Sequence, residues 1–217
     1  MAPASCVYMN DSGLAVHGLR VERGERVLFD NLSFSAPPAC LVQLQGANGS
    51  GKTTLLKTLA GLISADAGDI TWRGQRLSRA TDFRAMLNYI GHHGGLNAEL
   101  SACENLEFIA TLCAAPRRTT IAAALLALDA ASFAELAVRY LSAGQRQRVA
   151  LARLLLFETP LWMLDEPFTA LDHTSRSVVE ALIDTHVEQG GTVLIATHQA
   201  FASRHAIRVV PLGVARP

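Results

Sequence analysis

Residues 40 to 62 read CLVQLQGANGSGKTTLLKTLAGL, a stretch whose residue types and spacing suit the holding of phosphate. Gly46, Gly51, Lys52 and Thr53 fill the fixed positions of a G-x-x-x-x-G-K-[ST] loop, with Ala47, Asn48, Gly49 and Ser50 inside it and Thr54 just after. Glycines let the backbone turn tightly enough for several N–H groups to converge on one anion. A helix that follows would aim its positive end at the same point. Lys52 adds a point charge for the β- and γ-phosphates of a nucleotide, and the Thr53 hydroxyl is placed to ligate Mg²⁺. The competing reading is a chance match in a glycine-containing turn. Context weighs against it: an apolar run at residues 40–44 enters the loop, and Leu55, Leu56, Leu59 and Leu62 follow at helical spacing.

Three further groups fit the same chemistry. Leu161, Trp162, Met163 and Leu164 form an apolar run that ends in Asp165 and Glu166. In open α/β folds ligands bind at the carboxyl ends of parallel strands. With a phosphate loop upstream, Asp165 would hold Mg²⁺ through water, and Glu166 would orient or deprotonate a water attacking the γ-phosphate. A solvated turn carboxylate beside a helix cap is the plainer alternative. Ser142 and Gly144 stand at the expected start of a helix, a second anion site or an ordinary serine cap. His198 follows the apolar run at residues 192–197, where a histidine satisfied by backbone is the common case.

The elements that must position these groups follow from periodicity. Residues 14–21 and 27–35 alternate apolar and polar and predict antiparallel strands. Pro37 and Pro38 separate them from the strand at 40–44, and residues 70–72 predict another strand before a hairpin at Gly74 and Gln75. Residues 85–90 predict a further strand. From 101 to about 141 the chain is rich in Ala and Leu spaced for amphipathic helices, opened by a capping box of Ser101 and Glu104 and broken at Pro116. A helix begins near Ser142, another spans 174–189, and residues 207–212 predict an edge strand stopped by Pro211.

Composition narrows the function. Of 217 residues half are hydrophobic and 18% are charged, so the chain folds around a substantial core. A net charge of zero argues against a broad nucleic-acid-binding face. Cys6, Cys40, Cys103 and Cys113 form no C-x-x-C pair, which indicates neither zinc nor a disulfide framework. The N-terminal residues lack a secretory pattern, and no apolar run reaches about 18 residues, so the expected location is cytoplasmic, with membrane contact only through partners.

Taken together, LSAGQRQRVALARLLL at 141–156, LWMLDEP at 161–167, TALD at 169–172 and the Thr197–His198 pair resemble the ordered signature of the ABC-type ATPases, over nearly the whole chain. The resemblance implies an α/β fold: a P-loop NTPase (RecA-like) core with a mainly parallel sheet, an N-terminal antiparallel β subdomain and an inserted α-helical subdomain. Residues of about 14–92 and 158–217 would form the core with its β subdomain, and about 93–157 the helical subdomain. It implies ATP and Mg²⁺ as ligands and a head-to-tail homodimer sandwiching ATP. In that dimer Ser142 and Gly144 of one copy, with Gln145 beside them, would meet the γ-phosphate held by Lys52 of the other. Asp172 would lie in a loop crossing the interface, and His198 would sense the γ-phosphate and help orient the water. Two positions depart from the family. His93 takes the place of a glutamine that links the metal site to the helical subdomain, and near Arg23 the family places an aromatic ring that stacks on adenine. Arg23 could stack through its guanidinium plane, or nucleobase selectivity could be weak. Reading His92 and His93 as haem ligands lacks an attachment motif among the cysteines.

Finer features narrow the resemblance. Gly91 and His92 ahead of Leu96, then Leu100, Glu104, Asn105 and Leu106, with LDEPFTALD and Thr197–His198–Gln199, are similar to the ATP-binding subunits of the cytochrome c biogenesis system, the haem exporter ATP-binding proteins. That family implies a subunit at the cytoplasmic face of the bacterial inner membrane, docked on CcmB with CcmC and CcmD. Hydrolysis would drive haem export or release of the haem-loaded chaperone CcmE. The stretch from about 92 to 112 is the expected docking surface, although Leu96, Leu100, Leu106 and Phe108 serve equally as core. Rival classes are another transporter's ATPase, a soluble ABC ATPase acting on ribosomes or DNA, and a small-molecule kinase. The neutral single domain lacks the basic face or coiled-coil insertion of the second rival, and the kinase leaves LSAGQ unexplained.

Overall fold

In the computed structural model, residues 13–24, 26–77, 82–92 and 94–213 are described. Cys6 and His93 lie outside them. The expected N-terminal strands are β1 (Leu14–Arg23) and β2 (Arg26–Ala36), paired antiparallel, with β4 (Ala67–Trp72) on the other side of β1 and the short β5 (Gln75–Arg76) beyond it. This sheet has the order β2-β1-β4-β5.

The second sheet is wholly parallel. It contains β3 (Cys40–Gln45), β6 (Leu87–Ile90), β7 (Leu161–Asp165), β8 (Thr192–Ala196) and β9 (Ile207–Pro211) in the order β6-β7-β8-β3-β9. Its inner strands are buried on both faces, which explains why they read as near-continuous apolar runs rather than alternating ones. The alternation is still used. Leu41, Ile90, Trp162, Leu164, Val193 and Ile195 join one hydrophobic cluster with α5 (His173–Glu188), while Val42, Leu44, Met163 and Leu194 join a second with α1 (Lys52–Leu59) and the antiparallel sheet. Because every strand of this sheet runs the same way, the segments after β3, β6, β7 and β8 all leave from one edge. That edge receives the functional residues.

Three further helices, α2 (Ala102–Leu112), α3 (Ile121–Ala127) and α4 (Ala143–Leu156), occupy the stretch expected to be helical, and their apolar faces merge with the first cluster. The Ser101–Glu104 capping box opens α2 as expected: Ser101 Oγ accepts from the Glu104 N–H at 3.1 Å and Glu104 Oε2 from the Ser101 N–H at 2.7 Å.

The structure corrects two boundaries. Helix α1 stops at Leu59 rather than reaching Leu62, because Gly61 takes a left-handed φ of 70° and turns Leu62 out to solvent. Of the strand expected at 85–90, residues 85 and 86 instead close a 3₁₀ turn (Phe83–Met86) whose Phe83 is buried edge-on to Trp72 with ring centroids 6.1 Å apart. The expected docking stretch divides: Leu106 is core, Leu96 packs against the core, and Phe108 and Leu112 are 57% and 70% exposed. No helix among the described residues is long and apolar enough to cross a membrane.

Candidate functional site

The phosphate loop joins β3 to α1 under two tight steric limits. A Cβ at Gly46 would come within 2.4 Å of Ser50 Oγ and 2.8 Å of the Leu212 carbonyl. Gly51 has φ 93°, and a Cβ there would press within 2.6 Å of the Phe29 ring. Gly51 is also the cap from which α1 starts, so Lys52 and Thr53 are its first two residues. The Lys52 side chain bends back over the loop and its ammonium donates to the carbonyls of Gly46 at 2.8 Å and Ala47 at 3.2 Å. Ser50 Oγ is buried and unpartnered.

A cleft of about 510 Å³ lies in front of this loop. Asn48, Gly49, Gly51, Lys52, Thr53 and Thr54 line it on one side, Asp165, Glu166 and His198 on the other. These nine predicted residues are therefore brought together from three separate parts of the chain. Asp165 ends β7 and is only 2% exposed, with its Oδ2 buried and without a protein partner. Burial pushes its pKa up, and the Thr53 hydroxyl and the charge of His92 pull it back. A carboxylate oxygen left unsatisfied beside a threonine hydroxyl is what a hydrated divalent cation would complete. Among the described residues no group of three His, Cys, Asp or Glu side chains forms a metal cage by itself.

Glu166 sits at φ 53°, in the left-handed region that a non-glycine residue enters only when its surroundings impose it. Here they do. The Glu166 N–H donates to the Ala196 carbonyl at 2.8 Å, Thr197 Oγ1 donates to Oε2 at 3.1 Å, and Oε1 lies 2.9 Å from His198 Nδ1. The ends of β7 and β8 thereby clamp one carboxylate between a hydroxyl and an imidazole, facing the cleft.

Other predicted residues stand apart from it. Ser142 caps α4, its hydroxyl oxygen accepting from the Gln145 N–H at 3.2 Å while Gln145 Oε1 accepts from the Ser142 N–H at 2.8 Å. Gly144 faces the loop after Glu166, where a Cβ would meet the Ala170 carbonyl at 2.6 Å. Asp172 caps α5, and the hydrogen bond from the Ser175 N–H holds its carboxyl below the usual range. These groups do not line the phosphate-loop cleft of their own chain. Arg23 does not either: its guanidinium donates to the Glu22 carbonyl at 2.8 Å, and Leu28 lines the cleft.

Leu28 belongs to no motif in the amino-acid sequence, and Thr169 and Thr197 stand there only as members of motifs. His92 stands there in the stretch before Leu96, at the start of the expected docking surface, and as a discounted haem ligand. His92 and Thr169 line both this cleft and a neighbouring hollow of about 360 Å³ bounded by Ala143 and Gln147 of α4. The usable signal for Thr197 was its place directly before His198.

The ABC transporter family model matches residues 29–169, from β2 to just beyond Glu166. The chain belongs to the ABC transporter family. As an ABC protein it binds nucleotide and hydrolyses ATP. It is 43% identical over 203 residues to the "Cytochrome c biogenesis ATP-binding export protein CcmA" of Vibrio vulnificus strain YJ016, covering 92% of this chain and 99% of that one. The protein of the same name from Methylococcus capsulatus strain Bath is 43% identical over 208 residues, covering 94% and 100%. A dimeric bacterial ABC transporter cassette superposes with a TM-score of 0.81 at 24% identity, covering 94% of this chain and 97% of that one. A dimeric cassette in a post-hydrolysis state with ADP and phosphate gives a TM-score of 0.76 at 24% identity, covering 86% and 88%. At that identity these two structures speak for the ABC fold alone.

Proposed function

We propose that this ABC protein is the energy-coupling ATPase of an inner-membrane complex for cytochrome c biogenesis, of the haem-transporting class. Its observation of greatest weight is the identity to CcmA proteins across almost the full length of both chains. Residues of about 14–92 and 158–217 form the nucleotide core with its β subdomain, and about 93–157 the helical subdomain.

Gly46 to Thr54 wrap the phosphates of ATP, and Lys52 exchanges the carbonyls of Gly46 and Ala47 for the β- and γ-phosphates. Thr53 and Asp165, the latter through water, with His93 as a further candidate, would hold Mg²⁺, which would supply charge neutralisation of the phosphate oxygens. Glu166 Oε1 accepts a proton from the attacking water as its oxygen bonds to the γ-phosphorus and the bond to ADP breaks. His198, already hydrogen-bonded to Glu166, helps orient that water. In a head-to-tail homodimer Ser142, Gly144 and Gln145 of one copy close on the γ-phosphate held by the other, and Asp172 lies at the interface. Their absence from the cleft of their own chain supports that division of labour. Exposed Arg23 is free to stack on the nucleobase through its guanidinium plane; the alternative is weak base selectivity.

The complex works at the cytoplasmic face of the bacterial inner membrane, through a CcmB-like membrane subunit with CcmC and CcmD, and it acts on the haem chaperone CcmE. Exposed Phe108 and Leu112 on α2 suit the docking side. The test is haem-stained c-type cytochrome, with the haem load of the chaperone, in cells whose only copy carries Lys52→Ala. Lost cytochrome with haem retained on the chaperone is the expected result, and purified Lys52→Ala should lose ATP affinity. Normal cytochrome would refute the biogenesis role while leaving the ATPase intact.

A further inference from the structure

The segment after His198 runs as irregular backbone from 199 to 206 before entering β9. With no ladder to hold it, its course depends on side chains. One face of α5 supplies them at four-residue spacing. Arg176 Nη1 reaches Gln199 Oε1 at 3.4 Å and its Nη2 donates to the Ala200 carbonyl. Glu180 Oε1 accepts from the Ala202 N–H at 3.0 Å, and Asp184 accepts from Ser203 Oγ at 2.6 Å and the Arg204 N–H at 3.1 Å. Glu188 pairs with Arg204 at 3.1 Å. The four form one polar ladder, in the order of the segment they tether.

Arg176 does more than the others. Its guanidinium carbon lies 5.0 Å from the centroid of the Phe168 ring, which packs against Phe201 at 5.4 Å. Phe168 is two residues beyond Glu166, and Gln199 is next to His198. Nε is held at 3.0 Å by Glu180, and the Arg176 N–H donates to the Asp172 carbonyl at 3.0 Å. One planar, forked side chain therefore touches both segments that meet in the Glu166–His198 hydrogen bond, one turn from the residue that caps α5.

We infer that Arg176 is a positioning residue for ATP hydrolysis: by stapling the segment after His198 to the loop after Glu166, it sets the registry of that hydrogen-bonded pair and links it to the Asp172 loop. This rests on Glu166 and His198 acting on the attacking water. A displacement of about 1 Å in such a pair costs on the order of 10²-fold in rate. A lysine keeps the charge but not the fork, and restores only part of the function.

The experiment uses the purified full chain with Arg176→Ala and Arg176→Lys, read in two ways. Steady-state turnover should show kcat reduced about 10- to 100-fold in Arg176→Ala with KM for ATP within about twofold, and an intermediate value in Arg176→Lys. Spectra of ¹⁵N-histidine protein at fixed pH should show the His198 ring signal, assigned by its loss in His198→Ala, moving toward its place in Glu166→Ala. A His198 signal unmoved in Arg176→Ala overturns the inference, whatever turnover does. Wild-type turnover in both Glu166→Gln and His198→Ala would instead remove the catalytic reading, with the ring signal still deciding the staple. Thermal unfolding shows that the variants are folded, and if Arg176→Ala is not, Arg176→Lys carries both readouts.

Discussion

The two ends of β7 each bury a titratable group, and they use it in opposite ways. At the carboxyl end Asp165 keeps one oxygen without a partner, beside a lysine and threonine at a helix start. Near the other end the His186 ring lies flat on Trp162, centroids 3.8 Å apart and planes 8° from parallel, with Nε2 likewise buried and unpartnered. Burial disfavours the charged form of both. Only at the first end do opposite charge and a helix N-terminus converge on the space in front; at the second the ring also lines a cleft, but the nearby charge of Arg118 lowers its pKa further. At the second the ring is packing, and Gly191 fills the space against it. A perturbed pKa alone does not distinguish a site from a stack; the surroundings do.

Breaking the carboxyl end should have the largest effect. Glu166→Gln is expected to lower ATP turnover by about 10³-fold and to trap an ATP-bound dimer, visible by size-exclusion chromatography in ATP and Mg²⁺. Turnover close to wild type would mean the carboxylate takes no proton.

At the opposite end the effect should appear in stability. Burial lowers the His186 pKa from 6.5 to about 4, against the opposing pull of the Pro160 carbonyl. The unfolded chain takes up the proton first, so stability is fully present above about pH 6.5 and declines as pH falls toward 4, by up to about 3 kcal/mol. His186→Phe keeps a ring on Trp162 and should flatten that dependence in denaturant titrations. An unchanged slope would place the acid sensitivity elsewhere. A smaller effect is expected for Gly191→Ala, whose Cβ would lie 2.2 Å from His186 Nε2. The shift should cost about 2 kcal/mol in chemical denaturation and leave ATP affinity at the far end unaltered, and a loss of affinity would show that the two ends communicate.

The carboxyl end was legible in the amino-acid sequence because its parts are local. Gly46 to Thr53 lie within one loop, Asp165 and Glu166 close one apolar run, and Ser101 and Glu104 sit at the spacing that a capping box requires. What escaped detection depends on contacts between distant residues. Arg176 meets Gln199 and Phe168 only because α5 packs beside the segment leaving β8. His186 meets Trp162 only across the face of the sheet. Thr197 gains its role from a bond to Glu166, 31 positions earlier. Arg23, matched by position to a stacking residue, stands exposed at the end of β1, where the local pattern does not say which way the side chain turns.

The register of β3 carries a consequence for how the chain comes to be active. This strand feeds the phosphate loop, yet its neighbours are β8, with Cys40 opposite Thr192, and β9, with Leu41 opposite Ile207. Its hydrogen-bonded seat is therefore made of residues synthesised 152 to 166 positions later. Closing so long a loop is slow and cannot begin while those residues are still inside the ribosome. The nucleotide loop, encoded near the beginning, is therefore expected to be among the last parts secured, and a chain ending before β8 is expected to bind ATP weakly.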